Sequence, residues 1–585
     1  MRASETLPAR LVPAIHGRLP NAGQLGFWAL TLGLGVLIAF PLSLLVLNSF
    51  RDVTAGNLGF GLSHLTLGNY EAAYSSPRTF TMLLNSLWFA VGSMIVALFL
   101  GGTLAFLAER TDLRFRGFIP AIVMVPLIMP SVVKGIAWIF LLSPKIGLLN
   151  QAWRGLGFDG PLLSAYSLPA MIWVEGISMS TLSFLLIGAT IRRMDPTLEE
   201  AAFGSGASTA KVLSRVTLPL LVPGLAGVVL LLFIRGLEAF EIPMLLGFNA
   251  RIFVFSTNIY YSLRGAFPPA YGLGFAYSMT LVVFTVVGLL FYQKALSRSE
   301  RYTVVAGKGY RPRLVALGPL SRCLAWVFVG FYTVVSVLLP FFILVWSSLL
   351  PYYQLPSVRA FSATSIVNYM SVLSTSDFLL AIKNTVILTG VSSVGIMFIA
   401  MLGSWYIHRT NIAGRKLLDF LMFLPYAISG MAVGVAFMIL FLSFDNPLYN
   451  TIWIIVLAYI VNYLPVGSRF THAAIVQVHK ELEEAAWASG AGFWRTLRVI
   501  WIPLMIPALV NGALYVGILT MKVLSIAVLL YGPDSTVLSV YLWRVWDSGN
   551  PGEASALSVV LIVTLGAFTL VARRLARGKD VFKEA

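Results

Sequence analysis

The chain of 585 residues has few charged residues and a single cysteine. Only 11% of its residues are charged, against about a quarter in soluble domains, and this excludes a soluble globular protein. The lone Cys323 excludes an internal disulfide. The five histidines are scattered along the chain, so no zinc-type cluster is visible.

Phosphate-binding and catalytic motifs are also missing from the sequence. There is no GxxxxGK[ST] loop, since Gly307-Lys308 is followed by Gly309 and Gly578-Lys579 by Asp580. No nucleophile–base set is visible either. We therefore expect that the chain is not an enzyme, and that any ATP hydrolysis it depends on occurs on a separate subunit.

Long apolar runs are what the chain does have. Hydrophobic residues make up 58% of it, and runs of about 20 residues, enough to cross a bilayer, recur along its whole length. Because the runs are continuous and do not alternate, they predict an all-α polytopic membrane protein and not a β-barrel. The twelve predicted spans lie near 26–48, 83–107, 118–142, 167–190, 220–245, 272–293, 321–349, 380–405, 418–442, 450–471, 505–530 and 554–572.

The net charge of +17 is explained by where the basic residues lie. With the N-terminus inside, they concentrate in Arg192-Arg193, in the linker 294–322 and in the tail 573–583. The positive-inside rule then predicts that both termini are cytoplasmic. The basic charge is a topology signal, so no nucleic-acid partner is expected. The first apolar run has no convincing cleavage site before or after it, so it is predicted to be a retained helix.

The chain is internally duplicated. A loop beginning at Glu199 matches a loop beginning at Glu483, 284 positions later, and an upstream block matches at an offset of 299. The upstream matches pair Asn85 with Asn384, Arg110-Thr111 with Arg409-Thr410, and Pro126 with Pro425. Two tandem six-helix halves in the same orientation are predicted, with a pathway near the axis between them. The predicted units are a cytoplasmic segment 1–25, the halves 26–296 and 321–575, the basic linker 297–320 and the tail 576–585.

The repeated loops read EEAAFGSGASTAKVLSRVTLPLLVPG and EEAAWASGAGFWRTLRVIWIPLMIPA. In the first, Asp195-Pro196 is typical of a helix start, followed by a predicted helix Thr197–Phe203, a break at Gly206 and a second helical piece Lys211–Val216. This pattern predicts a compact helix-turn-helix with a small-residue face, suited to docking in a partner's groove. For one copy, an ordinary amphipathic loop is the simpler interpretation. Two copies that agree at seven of nine positions over EEAA-x-x-SGA argue against it.

At these residues the chain resembles the EAA-motif permease subunits of binding-protein-dependent ABC importers, with the type I (MetI-like) fold. The resemblance covers both halves and implies a fused permease in which one chain replaces a dimer. It implies that the loops 195–219 and 479–503 are coupling helices that sit in clefts of an ATPase. The residues carrying this role are Glu199, Glu200, Ala201, Ala202, Gly206, Glu483, Glu484, Ala485, Ala486 and Gly490. One departure is that Asp195-Pro196 becomes His479-Lys480 in the second copy, so the two contacts need not be equivalent.

The resemblance also implies the partners and the location. Two copies of an ATPase subunit would bind ATP and Mg, and this chain would bind no cofactor itself. An extracytoplasmic binding protein would deliver the substrate, with lipids around the spans. The expected location is the bacterial cytoplasmic (inner) membrane.

Among such importers, the chain most resembles ferric-iron permeases. The segments that carry this likeness are GLEAFEIPMLLG at 236–247, VFSTNIYYSL at 254–263 and LLYGPDSTVLSVYLW at 529–543. Thiamine, polyamine and phosphonate permeases have related organisations and stay open as alternatives. A more remote alternative is a twelve-helix transporter driven by an ion gradient, which explains the duplication but not the paired loops. A membrane enzyme is a third option, without a catalytic cluster.

Charged residues within the predicted spans are the last feature. Glu238 and Glu241 lie three apart on a predicted helix face, and carboxylates are ligands that hard cations prefer, so a transient metal site is one hypothesis. Against it, Arg235 lies one turn before Glu238, and Lys522 stands at the repeat position of Glu238. A structural pair or gate latch between Glu238 and Lys522 is the favoured interpretation.

Overall fold

The computed structural model describes residues 21–53, 58–192, 197–299, 314–444, 447–448, 450–479 and 481–577. Within these ranges the chain forms helices, and its only bridges are two isolated ones, Arg51 with Leu65 and Thr111 with Val315. Nine described helices are long and apolar enough to cross a membrane, and three bent helix pairs raise the number to twelve. The predicted all-α architecture is confirmed, and the twelve predicted spans correspond to the nine helices together with the three bent pairs.

The two halves have six spans each. In the first half they are α1 Gly23–Ser49, α2 Pro77–Arg110, α3 (Arg116–Ile128 with Ser131–Leu142), α4 Leu168–Arg192, α5 (Ser214–Val222 with Gly224–Glu238) and α6 Tyr271–Ala295. In the second half they are α7 Pro319–Ser348, α8 Ser376–Arg409, α9 (Arg415–Ala427 with Gly430–Ser443), α10 Ile452–Gln477, α11 Leu497–Lys522 and α12 Pro551–Val571. Short helices between the spans include Gly68–Ser75, Leu148–Gly155, Phe255–Tyr260, Val358–Ser362, Val367–Ser374, Ala527–Leu530 and Leu538–Asp547.

The third span of each half is sharply bent. The two pieces of α3 meet at 94° and those of α9 at 109°. In α3, Met129 is extended and Pro130 precedes the second piece, because a residue before proline is pushed out of the helical region. In α9, Ser429 caps the second piece by accepting a hydrogen bond from the amide of Ala432 at 3.2 Å. The same break is thus made by different residues in the two halves.

The first span of each half packs against the other half. Helix α1 contacts both pieces of α9, and α7 contacts the second piece of α3. The Tyr406 hydroxyl of the second half donates to the carbonyl of Gly23 at 3.1 Å. In the opposite direction, Tyr332 of α7 lies 3.0 Å from the Ser180 hydroxyl of α4. This reciprocal exchange joins the halves, and the repeat pattern alone does not reveal it.

The two repeated loops lie between α4 and α5 and between α10 and α11. Their helices are Thr197–Gly204 and Thr209–Val212 in the first loop, and Glu481–Ala488 and Phe493–Thr496 in the second. The first helix is one residue longer than predicted. Several predictions lie outside the described residues: the Asp195-Pro196 start, Lys480, and most of the segments 1–25, 297–320 and 576–585.

Candidate functional site

The first repeated loop is a short helix that ends at a glycine. Gly206 has a backbone φ of +79°, and the amide of Ala207 donates to the carbonyl of Ala202 at 3.1 Å, as in a Schellman cap. A Cβ at Gly206 would meet no atom within 4 Å. Glycine is therefore needed there for its backbone conformation and not for space. The predicted break at Gly206 is confirmed.

The second loop repeats this geometry. Gly490 has a φ of +77°, and the amide of Ala491 donates to the carbonyl of Ala486 at 3.0 Å. A Cβ at Gly490 would also meet nothing within 4 Å. The two loops thus share a backbone as well as a sequence.

The two adjacent glutamates of each loop point in different directions. Glu199 and Glu483 are buried, with 5% and 3% of their surface exposed. Their neighbours Glu200 and Glu484 are exposed. The other exposed residues of the motif are Ala201, Gly206, Ala485 and Gly490, while Ala202 and Ala486 are half-buried. Each loop helix therefore has an inner glutamate that faces its own chain and an outer, small-residue face that is open to a partner.

The inner glutamate of the first loop is held by the end of α2. Arg110 donates two hydrogen bonds to the Glu199 carboxylate, at 2.9 and 3.0 Å, and both side chains are almost fully buried. The Thr217 hydroxyl donates to the same carboxylate at 2.6 Å. A bidentate arginine–carboxylate pair fixes orientation as well as distance, so the loop helix is clamped to the membrane-spanning body.

The second loop has the corresponding clamp in a looser form. Arg409 lies 3.3 Å from Glu483 through its Nε atom. It also donates to the carbonyl of Ile475 at 2.9 Å, and its guanidinium lies 5.0 Å from the ring centre of Trp501. Trp501 occupies the repeat position of Thr217. The arginine here is shared among a carboxylate, a carbonyl and an aromatic face.

Sequence reasoning did not identify the two arginines as part of the loops. The signal was present, because Arg110 and Arg409 are matched positions of the upstream repeat block. A matched arginine at the end of one span and a matched glutamate in the following loop are what a buried pair needs. The two blocks lie far apart along the chain, and only the fold brings them together.

The predicted pairing of Glu238 with Lys522 is wrong. Glu238 is paired with Arg235 on its own helix at 3.0 Å, and the Lys522 ammonium donates to the carbonyl of Leu127 at 3.1 Å. Glu238 and Glu241 do not share a helix face either, because α5 ends at Glu238 and Ala239 is extended. The three-residue spacing therefore does not bring the two carboxylates together as an i, i+3 pair, and this argument for a transient metal site fails. In the described part of the chain, no group of three or more His, Cys, Asp or Glu side chains could hold a metal ion.

Instead, a different set of charges joins the two halves. The Glu241 carboxylate accepts a hydrogen bond from the amide of Leu524 at 3.2 Å and acts electrostatically on Lys522. Lys134, buried in α3, donates to the Ser178 hydroxyl at 2.9 Å. Glu175 of α4 is buried as well and interacts with both Lys134 and Glu241. Lys134, Glu175, Glu241 and Lys522 thus act on one another electrostatically near the boundary between the halves. Glu175 was not among the residues predicted from the sequence.

Comparison with known proteins agrees with this architecture. Residues 395–578 match the family described as "Binding-protein-dependent transport system inner membrane component". The chain is 26% identical over 494 residues to "Ferric transport system permease protein FbpB" of Actinobacillus pleuropneumoniae, covering 80% of this chain and 67% of the relative. It is 24% identical to "Fe(3+)-transport system permease protein FbpB 2" of Haemophilus influenzae, covering 84% of this chain and 89% of the relative.

A further similarity covers less of the chain. A "Putative 2-aminoethylphosphonate transport system permease protein PhnV" of Salmonella paratyphi A is 25% identical over 184 residues, which is 31% of this chain and 69% of the relative. The two ferric-transport relatives extend over both halves, whereas this one spans a length comparable to a single half. The similarities thus follow the duplication that the sequence and the fold show.

Proposed function

This chain is the permease subunit of a binding-protein-dependent ABC importer, and we propose that it passes iron(III) from an extracytoplasmic binding protein into the cytoplasm. The two long relatives named for ferric transport support iron as the cargo. Transport is coupled to two copies of a separate ATPase, one on each repeated loop. The basic linker and tail support cytoplasmic termini.

The clamped loop helices are the observation that carries the coupling proposal. Each helix presents exposed Glu200 and Ala201, or Glu484 and Ala485, on one side. On the other side it is tied to α2 or α8 through a buried arginine–glutamate pair. A force that an ATPase applies to the exposed side of the loop helix is therefore transmitted to a membrane span, because the charged contacts fix the helix in orientation and distance. Movement of one half against the other then exposes the pathway alternately to the two sides.

Substitution of the two glycines tests this docking surface. We expect Gly206→Asp or Gly490→Asp to weaken capture of the ATPase in a pull-down, without unfolding the membrane body. Both positions are open on this chain, and Asp and Asn tolerate the left-handed backbone better than other residues. Gly206→Asn and Gly490→Asn are the matched controls of equal shape and no charge.

The outcomes separate the physical cause. If only the Asp variants lose capture of the ATPase, the added charge opposes docking. If the Asp and the Asn variants both lose it, the side chain itself opposes docking. An undiminished complex with all four variants would show that the ATPase docks elsewhere.

A phosphonate is the second candidate cargo, favoured by the similarity to the aminoethylphosphonate permease. The two cargoes are distinguished by purifying the chain's native binding protein and identifying the ligand it carries by mass spectrometry and metal analysis. Iron in the purified protein supports the ferric proposal. A phosphonate without iron would overturn it and favour the second candidate.

A further inference from the structure

Two arginines within the spans remain exposed where the two halves meet. Arg235 lies near the end of α5, and 46% of its side chain is exposed. Arg469 lies on α10 and is also exposed, although most of that span is buried. A charged side chain that faces lipid at the centre of a bilayer costs about 2.5–3.5 kcal/mol, so charged residues within spans normally face a partner or a water-filled path.

Tyr426 connects the two arginines. Its ring centre lies 5.5 Å from the Arg235 guanidinium and 4.9 Å from that of Arg469, both within cation–π range. Tyr426 belongs to the break of α9, so Arg235 reaches across from the first half to the second. Arg469 lies beside Tyr292 of α6 and reaches in the other direction. Both arginines therefore lie at the gap between the two halves.

The surface presented to this gap is positive. Glu238 neutralises Arg235 at 3.0 Å, but its side chain is only 9% exposed, so the guanidinium is the part that the gap encounters. For Arg469, no carboxylate lies within ion-pair distance among the residues that the structure describes. Two partly hydrated guanidiniums would repel a bare trivalent cation and attract an anion.

The duplication indicates that the helices can form without Arg235, Tyr426 and Arg469. None of the three residues is repeated in the other half. At each matching position the chain has leucine instead. The counterparts of Arg235, Tyr426 and Arg469 are Leu519, Leu127 and Leu185. The matching helices of the other half carry leucine at these positions, so the helices themselves do not require charged or aromatic residues there.

We infer that Arg235, Tyr426 and Arg469 form an oxyanion-binding site in the path between the two halves. The substrate class is therefore an anion, either a free oxyanion such as a phosphonate or an iron(III) ion covered by oxyanion ligands. The planar guanidinium suits such groups because it can donate two parallel hydrogen bonds to a carboxylate or phosphate. This inference rests on the proposed transport function for the direction in which the anion moves.

Binding of radiolabelled inorganic phosphate to the full chain in lipid nanodiscs tests the site itself. We expect saturable binding that weakens at least tenfold in Arg235→Leu and in Arg469→Leu, which place the counterpart residue at each position. Arg235→Lys, which keeps the charge but loses the paired donors, is expected to bind with intermediate affinity. Arg359→Leu, at an exposed arginine outside the spans, is the control and is expected to bind like the unaltered chain. Absence of saturable binding, or equal binding by the double variant Arg235→Leu/Arg469→Leu, would overturn the inference.

Uptake into proteoliposomes containing the ATPase and the binding protein separates this inference from the proposed cargo. One arm uses radiolabelled ferric citrate and the other radiolabelled 2-aminoethylphosphonate. If uptake of one of these two substrates falls at least tenfold in the double leucine variant, the result supports the site. The substrate affected then identifies which source of oxyanion the site takes. Uptake at the unaltered rate in that variant would overturn the site while leaving the function intact. No iron uptake by the unaltered chain, with phosphate binding retained, would overturn the iron proposal alone.

Discussion

The two clamps differ in how completely the arginine is committed to the glutamate. In the first half, Arg110 holds Glu199 through two short hydrogen bonds. In the second, Arg409 approaches Glu483 through one atom at 3.3 Å and divides its contacts with a backbone carbonyl and Trp501. The loop backbones are nearly the same, so the difference lies in what supports them. Glu199 is held by Arg110 and by the Thr217 hydroxyl, whereas Arg409 divides its contacts among Glu483, a backbone carbonyl and Trp501.

The largest effect is expected from removing the inner glutamates. Breaking a buried ion pair by deleting one partner costs about 3–5 kcal/mol, so Glu199→Ala should detach the first loop helix and lower ATP-driven uptake at least tenfold. Glu483→Ala should lower it less, because Arg409 keeps its contacts with Ile475 and Trp501. Hydrogen exchange of 197–204 and 481–488, measured with uptake, checks both expectations.

The outer glutamates provide the control for this comparison. Glu200→Ala and Glu484→Ala alter exposed positions, so they should leave hydrogen exchange of the loop helices unchanged in the isolated chain. If Glu199→Ala and Glu483→Ala loosen their helices equally, the proposed asymmetry of the two clamps is wrong. If neither loosens its helix, the clamp has no mechanical role.

A smaller effect is expected from the charges between the halves. In the structure the charge of Glu241 acts on Lys522, whereas Glu238 is paired with Arg235. A double-mutant cycle of Lys522→Met with Glu241→Gln should therefore show a coupling of about 1 kcal/mol. The same cycle with Glu238→Gln should show almost none. Thermal unfolding in detergent provides the measurement, and a larger coupling to Glu238 would restore the pairing that the repeat position suggested.

The smallest effect is expected at the surface. Arg544 and Asp377 lie 3.9 Å apart, with 43% and 50% of their side chains exposed. Exposed pairs contribute about 0–1 kcal/mol, so Asp377→Asn should leave both the melting temperature and uptake almost unchanged. A loss of uptake comparable to that of Glu199→Ala would mean that the Arg544–Asp377 pair takes part in a contact with another subunit.

The spans and the loops could be predicted because each depends on local signals. Apolar runs of bilayer length and the duplication indicate twelve spans, and the glycine of EEAA-x-x-SGA indicates the break in each loop. In the bend of α9, Pro425 lies in the turn before the break, and Ser429 instead of a second proline caps the piece that follows.

The charges were harder to assign because their partners lie far away along the chain. Repeat symmetry placed Lys522 opposite Glu238, but α5 ends at that residue and the chain beyond it carries Glu241 to the second half. The buried Glu175 has tyrosine at its repeat position, Tyr459, so the duplication gave no signal for it. The residues of the clamps are matched between the halves, whereas those of the proposed anion site are not.

The most direct test of the proposed function is whether uptake is driven by ATP or by a proton gradient. Proteoliposomes containing this chain, its ATPase and its loaded binding protein are given ATP together with a protonophore, or a proton gradient without ATP. The account predicts uptake in the first condition, none in the second, and loss of the first in Glu199→Ala. Uptake driven by the gradient without ATP would contradict it and favour a transporter driven by an ion gradient.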